Sequence, residues 1–167
     1  RANLIMDNLI ASGRTEPFLI VMTYGMTNQV RFGKLREFKI DTFQTVLTEE
    51  LIPYVDEHYR TVAKSSHRAM AGLSMGGMET HTITLNKPDL FAYYALLSGG
   101  VYTPEEIKDP SKVKLIFLSC GSRERPENIQ KATDTLKTAG FKAVSYVSPN
   151  TGHEFQTWRR SLYELAP

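Results

Sequence analysis

The sequence predicts an α/β protein built on a mainly parallel sheet. Short apolar runs alternate with longer amphipathic segments along its 167 residues, which is typical of strands joined by helices. The apolar runs are continuous, as expected for strands that are buried on both faces of a parallel sheet. The length and the hydrophobic fraction of 41% fit a single domain, residues 1–167, with a core of its own.

The first 60 residues are predicted to hold two helices and one strand. Residues 2–12 form an amphipathic helix that ends at Gly13. The run "PFLIVMTYG" (17–25) is predicted as a buried strand, and a long loop follows it. A second helix is expected from Asp41 to about Tyr59, with a kink or a break at Pro53.

Strands and helices alternate regularly after residue 60. Four strands are expected, at 67–73, 91–100, 113–121 and 142–148. Three helices are expected, at 75–86, 126–140 and 154–165. Functional side chains should lie in the loops that follow the strands, because α/β sites collect at the carboxyl edge of the sheet.

The composition argues against several classes of function. The net charge is +2 without a basic block, which leaves no footprint for nucleic acid or an anionic membrane. No apolar run approaches the roughly 18 residues that a membrane span needs. Cys120 is the single cysteine, so no internal disulfide can form, and the compartment stays open.

The stretch "AGLSMGG" (71–77) places Ser74 between a predicted strand and a predicted helix. A serine nucleophile on such a sharp turn needs small neighbours, which Gly72 and Gly76 supply. The helix that follows directs its first N–H groups to the place where an oxyanion would form, and the N–H of Met75 would be one donor. The alternative interpretation is a glycine-rich connection without chemistry.

A serine hydroxyl needs a base to take its proton, and His153 is the best placed of the four histidines. It follows the last predicted strand, at the carboxyl edge of the sheet. His58, His67 and His81 are expected to be ordinary surface or core histidines.

The acid that orients the base should come from a loop at the same edge. Glu124 follows the strand 113–121 directly and is the preferred candidate. Arg123 and Arg125 beside it would keep the carboxylate ionised. The alternative is an exposed loop carboxylate without a role.

With these residues in place, the chain resembles the putative-esterase group of α/β-hydrolases, and in particular the feruloyl and acetylxylan esterases of carbohydrate esterase family 1. The similar stretches are "LTEELIPYVDEHYRT" (47–61), "HRAMAGLSMGGMET" (67–80), "PDLFAYYALLSGG" (88–100), "LIFLSCGSRE" (115–124) and "GHEFQTWRRSLYEL" (152–165). The resemblance implies an α/β-hydrolase fold with helices on both faces of the sheet. It also implies Ser74 as nucleophile, His153 as base and Glu124 as acid, where the family usually has aspartate.

The function implied by the resemblance is a serine carboxylesterase that removes feruloyl or acetyl groups from plant cell-wall xylan through an acyl-enzyme, without a metal or cofactor. Its substrate would be acylated xylan or a small aryl ester. The chain would be part of a multidomain polysaccharide-degrading enzyme. That enzyme would be secreted or periplasmic in a bacterium, and a cytoplasmic location stays open. Siderophore or S-formylglutathione hydrolysis and acyl transfer are alternatives within the fold. A non-catalytic carbohydrate-binding or interaction module is the alternative of another class.

One part of the family pattern has no counterpart in the sequence. The family has opening strands and a His-Gly-rich loop that supplies a second oxyanion donor. We expect a longer natural chain that contains them, of which residues 1–167 are a fragment truncated at both ends. Tyr24 is then expected to line the substrate pocket without being that donor. Residues 1–167 alone are expected to be inactive and prone to associate, because a sheet edge would be exposed.

Overall fold

The computed structural model describes residues 1–25 and 39–167. Its centre is a parallel four-stranded sheet in the order β1 (Ala69–Leu73), β2 (Tyr93–Leu97), β3 (Leu115–Gly121) and β4 (Ala143–Ser148). The described α-helices are α1 (Ala2–Ala11), α2 (Ile40–Thr45), α3 (Ile52–His58), α4 (Met75–Asn86), α5 (Pro126–Thr138) and α6 (Phe155–Leu165). Within these residues, no helix is long and apolar enough to cross a membrane.

Both faces of the sheet are covered by helices, as the sequence predicts. Successive side chains of a strand point to opposite faces. Tyr94 and Leu96 of β2 belong to the larger core cluster, which includes Ile83 of α4. Ala95 of β2 belongs to a second cluster, against which Trp158 of α6 packs. α1 packs beside α6 on this face. The segment after α1 is joined to the residue after α6 by a hydrogen bond from the Thr15 hydroxyl to the carbonyl of Ala166, 2.9 Å long.

The helix predicted from Asp41 to Tyr59 runs without interruption but is not uniform. It is α-helical over Ile40–Thr45, π-helical over Val46–Leu51 and α-helical again over Ile52–His58. Pro53 lies in the first turn of the last part. Since proline has no N–H to donate, the regular hydrogen-bond ladder cannot pass through it, which gives a local cause for the change of helix type.

The strand predicted over residues 17–25 is wrong. Residues 17–24 form no backbone hydrogen bond with any described strand. The apolar side chains from Phe18 to Met22 are between 41% and 78% exposed. An apolar run becomes a buried strand only when neighbouring strands take up its backbone groups. Such a neighbour is absent within the described residues, where β1 is an edge strand of the sheet.

Candidate active site

Ser74 lies on a strained turn between β1 and α4. Its backbone has φ +52° and ψ −117°, outside the regions that residues with a Cβ normally occupy. A Cβ on Gly72 would stand 1.8 Å from the carbonyl oxygen of Gly76, so a glycine is required there. The expectation that Gly76 is also needed as a small neighbour of the serine is wrong, because a Cβ at position 76 would meet nothing within 4 Å. The turn therefore needs a glycine before the serine for steric reasons, and Gly76 contributes through the approach of its backbone.

His153 joins Ser74 to Glu124 through two hydrogen bonds. Its Nε2 lies 2.8 Å from Ser74 Oγ, and its Nδ1 lies 2.9 Å from Glu124 Oε1. An ionised carboxylate only accepts hydrogen bonds, so Nδ1 carries a proton and donates it to Glu124. In the neutral imidazole, Nε2 is then the free acceptor for the serine hydroxyl. The structure thus brings together the three residues that the sequence analysis selected.

The glycines at the strand ends allow the loops to approach closely enough for this arrangement. A Cβ on Gly121, the last residue of β3, would stand 2.3 Å from the carbonyl oxygen of Thr151. A Cβ on Gly77 would stand 2.5 Å from the Cα of Gly99. The close approach of Gly121 to Thr151 brings together the loop that carries Glu124 and the loop that carries His153. Larger side chains at these glycines would push the loops apart.

Glu124 is held by donors on both carboxylate oxygens. Its side chain is 18% exposed. Oε2 accepts hydrogen bonds from the backbone N–H of Gly121 at 2.6 Å and from the Ser98 hydroxyl at 2.8 Å. Burial acts to raise the pKa of Glu124, but the hydrogen bonds from Gly121, His153 and Ser98 outweigh it, and the pKa is lowered. These donors, and not the neighbouring arginines, account for the ionised state.

The other three histidines have different surroundings. His58 is exposed and stacks on Tyr54, with ring centroids 4.1 Å apart. His81 stacks on Tyr102 at 4.8 Å and pairs with a carboxylate. His67 is exposed, and its Nδ1 lies 3.0 Å from the hydroxyl of the adjacent Ser66. Among the described residues, no group of three or more His, Cys, Asp and Glu side chains is arranged to hold a metal ion.

The two remaining predicted site residues differ in their placement. Met75 is the first residue of α4, next to Ser74, so no earlier carbonyl of the helix accepts its N–H. Tyr24 is 80% exposed and lies in the segment that forms no strand. No described hydrogen bond joins it to Ser74, His153 or Glu124, and its role in substrate binding stays a prediction.

A buried carboxyl group lies near the end of that segment. Glu79 of α4 is 4% exposed, and its oxygens lie against the backbone of Gly25. Burial raises the pKa of Glu79 to about 7, and its Oε1 has no hydrogen-bond partner within the described part of the chain. Sequence reasoning did not select this residue, because a glutamate in a helix is usually exposed.

A cleft of about 770 Å³ lies on the far side of Glu124. One wall is the segment from Ser98 to Thr103, and the other is formed by α5 and the loop before it. Neither Ser74 nor His153 lines this cleft. The space over the serine hydroxyl is therefore distinct from it.

Comparison with known proteins gives the family. The family model described as "Putative esterase" matches residues 1–110, a range that includes Ser74 and ends before Glu124. An endo-1,4-beta-xylanase/feruloyl esterase of Xylanibacter ruminicola is 56% identical over 166 residues, which are 99% of this chain. The chain belongs to this esterase family. It spans 23% of the length of that relative.

Solved structures give the fold of this esterase chain. A CE1 ferulic acid esterase from Anaeromyces mucronatus, in complex with ferulic acid, has a TM-score of 0.67 at 19% identity, over 95% of this chain and 67% of that one. The enterobactin esterase from Shigella flexneri, in the presence of 2,3-di-hydroxy-N-benzoyl-glycine, has a TM-score of 0.68 at 19% identity, over 95% and 45%. The esterase chain therefore has the α/β-hydrolase fold, as the sequence predicts.

Sequence reasoning missed Ser98, whose hydroxyl contacts the carboxylate of this esterase. Ser98 follows β2, at the same edge of the sheet as Ser74 and Glu124. The segment "LSGG" (97–100) held the available signal, since a polar residue before two glycines directly follows a predicted strand. Trp158 of α6 is the second residue of this contact, since its indole N–H donates to the Ser98 hydroxyl at 3.1 Å.

Proposed function

We propose that this chain is a serine esterase that hydrolyses feruloyl or acetyl esters of xylan through an acyl-enzyme intermediate. The observation that carries the proposal is the continuous hydrogen-bond path from Ser74 Oγ through the His153 imidazole to Glu124, with heavy-atom distances of 2.8 and 2.9 Å. A serine hydroxyl becomes a useful nucleophile when a base accepts its proton and a third group orients that base. This path supplies both functions.

Acylation begins with attack of Ser74 Oγ on the ester carbonyl carbon. His153 Nε2 takes the hydroxyl proton as the new C–O bond forms, and Glu124 stabilises the resulting imidazolium. The carbonyl oxygen becomes an oxyanion beside the N–H of Met75 at the start of α4, where helix and backbone dipoles favour negative charge. Collapse of this intermediate breaks the ester bond, and the imidazolium returns its proton to the departing sugar oxygen.

Deacylation repeats the same steps with water as the nucleophile. His153 Nε2 removes a proton from the water as its oxygen attacks the acyl carbonyl carbon. The second tetrahedral intermediate releases Ser74 Oγ, which regains its proton from the imidazolium. The carboxylic acid leaves, and the starting state of all three side chains is restored.

The xylan substrate is supported by the relative from Xylanibacter ruminicola, whose name pairs a xylanase with a feruloyl esterase. Because this chain spans 23% of that protein, we infer that it acts beside xylan-cleaving domains in a larger enzyme. We also propose a secreted or periplasmic location, since a polymeric substrate lies outside the cell. Cell fractionation of a producing bacterium, with an antibody to this chain, tests the location.

Fluorophosphonate labelling tests the serine chemistry directly, because the probe reacts with an activated serine. In the natural protein that contains this chain, the label should be found on Ser74 and should disappear in Ser74→Ala. Ser66 provides an internal control, since its hydroxyl also contacts a histidine, His67, at 3.0 Å. No carboxylate lies within ion-pair distance of His67 among the described residues, so Ser66 should stay unlabelled. An unlabelled Ser74 would favour a non-catalytic module.

Substrate preference requires a panel of esters. Initial rates on methyl ferulate, acetylated xylan, p-nitrophenyl acetate and S-formylglutathione should favour one of the first two. A strong preference for S-formylglutathione would replace the xylan proposal while leaving the serine mechanism intact. Ser74→Ala serves as the blank for every substrate.

A further inference from the structure

Glu124 has a second set of contacts on the side that faces away from His153. Oε1 is used by His153, while Oε2 accepts from Gly121 N–H and from the Ser98 hydroxyl at 2.6 and 2.8 Å. The backbone contact is present whatever the side chain at 121. The contact with Ser98 depends on one hydroxyl group, and it stabilises the carboxylate only if that hydroxyl donates its proton to Oε2.

Trp158 determines which way the Ser98 hydroxyl points. The indole Nε1 is only a donor, and it lies 3.1 Å from Ser98 Oγ. Ser98 Oγ must accept this hydrogen bond, which leaves its own proton free to be donated to Glu124 Oε2. The path therefore runs in one direction, from the indole N–H through the hydroxyl to the carboxylate.

The backbone of Ser98 and the ring of Trp158 add to the rigidity of this path. Ser98 has φ +51°, a conformation that is uncommon for a residue with a Cβ. Its N–H is tied to the Ser119 carbonyl at 2.7 Å. The indole ring also meets the His153 ring edge to face, with centroids 5.1 Å apart and an interplanar angle of 90°. One side chain of α6 thus contacts the base directly and the acid through Ser98.

We propose that Ser98 and Trp158 are positioning residues of the esterase reaction. Together they hold Glu124 with Oε2 fixed and Oε1 directed at His153 Nδ1, which keeps Nε2 free to accept the proton of Ser74. The inference rests on the proposed function, and it deepens that function by extending the catalytic arrangement from three side chains to five.

The test uses Ser98→Gly and Trp158→Phe in the natural protein that contains this chain. Glycine tolerates the positive φ at position 98 and removes the hydroxymethyl side chain, so thermal melts are measured beside the kinetics. Phenylalanine keeps an aromatic ring beside His153 and removes the N–H. With p-nitrophenyl acetate, Ser98→Gly should lower kcat about tenfold, the effect of losing one hydrogen bond to a charged group. Trp158→Phe should lower kcat by a similar factor, because the Ser98 hydroxyl then loses the donor that directs its proton at Glu124. KM should stay within about twofold, because neither group is needed to hold so small a substrate.

The double variant separates positioning from general packing. If the N–H acts through the hydroxyl, Ser98→Gly with Trp158→Phe should be about tenfold slower than wild type and not about a hundredfold slower. Phe155→Leu is the matched control, since Phe155 packs edge to face on Trp158 at 5.1 Å without contacting Ser98, and its kcat should be unchanged. Thermal melts identify any variant that is unfolded. If one of the two single variants is unfolded, the proton resonance of the His153–Glu124 hydrogen bond is compared between wild type and the other single variant, where it should shift.

The outcomes distinguish the two proposals. A wild-type protein that neither hydrolyses esters nor reacts with a fluorophosphonate overturns the proposed function. Three results with an active wild type overturn the positioning role alone. They are an unchanged kcat in both single variants, fully multiplicative losses in the double variant, and an unshifted His153 proton resonance in a folded single variant. Coupled losses in kcat at constant KM support it.

Discussion

Replacing Ser74 by glycine should leave the protein more stable than replacing it by alanine, although both changes remove the hydroxyl. At φ +52° and ψ −117°, a residue with a Cβ is strained by about 1–3 kcal/mol. Glycine escapes this strain but loses about 0.5–1 kcal/mol more through its greater freedom in the unfolded chain. The expected net difference in the free energy of unfolding is about 1 kcal/mol in favour of Ser74→Gly.

Differential scanning calorimetry of the two variants measures this difference. About 1 kcal/mol corresponds to roughly 2–4 °C in Tm for a domain of this size. Ser12 provides the matched control, because it has φ −85° at the end of α1. There the order should be reversed, with Ser12→Gly less stable than Ser12→Ala by about 0.5–1 kcal/mol.

The refuting result is a Ser74 pair that behaves like the Ser12 pair. If Ser74→Gly melts below Ser74→Ala, the turn stores no strain that glycine can relieve. The steric account of the turn that presents the serine hydroxyl would then be wrong. Both Ser74 variants should be inactive in either case, so activity does not enter this comparison.

Four further predictions concern ionisable side chains. His153→Ala should slow turnover about as much as Ser74→Ala, and the double variant should be no slower, because the pair acts as a unit; multiplicative losses in steady-state kinetics would contradict this. Glu124→Gln should slow turnover less, and the exposed Glu127→Gln should leave it unchanged, while the opposite ranking would reassign the acid. Because the pKa of Glu124 is lowered, its stabilising effect should be lost as the pH falls below about 4, and urea melts of wild type and Glu124→Gln should then converge. Burial raises the pKa of Glu79 from 4.5 to about 7, so the fold loses stability as the pH rises from about 4.5 towards 7, and Glu79→Gln should raise Tm at pH 8 but hardly at pH 5; equal effects at both pH values would refute this.

The second half of the fold could be predicted from sequence because each element carries its own local signal. α4 occupies residues 75–86 in both the prediction and the structure, and the four strands fall inside their predicted ranges. Ser74, Glu124 and His153 could be brought together without coordinates because parallel neighbours end at one edge of the sheet. To place the three residues side by side, only the order of the strands in the sheet is required, and this order is the same as their order in the chain.

Two features could not be predicted because they depend on partners. The run at 17–25 has the composition of a buried strand, but a strand also requires a neighbour for its backbone, and no described strand pairs with it. The contact of Ser98 with Trp158 joins residues 60 positions apart, across the end of β2 and one face of α6. Hydrophobic periodicity carries no information about a hydrogen bond between two elements. The sequence therefore does not indicate that Ser98 and Trp158 contact each other.

The geometry of the sheet gives a reason for the two roles that we propose, in which Ser74 reacts and Ser98 supports Glu124. Leu73 pairs with Leu97 in the register of β1 and β2, so Ser74 and Ser98 occupy equivalent positions just beyond adjacent strands, and both have positive φ. Ser74 begins a helix and faces a nitrogen that can accept its proton, whereas the Ser98 hydroxyl lies between an indole donor and a carboxylate. A carboxylate whose pKa is lowered is a much weaker base than an imidazole, so it is poorly suited to take the proton of the Ser98 hydroxyl. The difference in reactivity that we expect between the two serines thus follows from the partner that each hydroxyl meets.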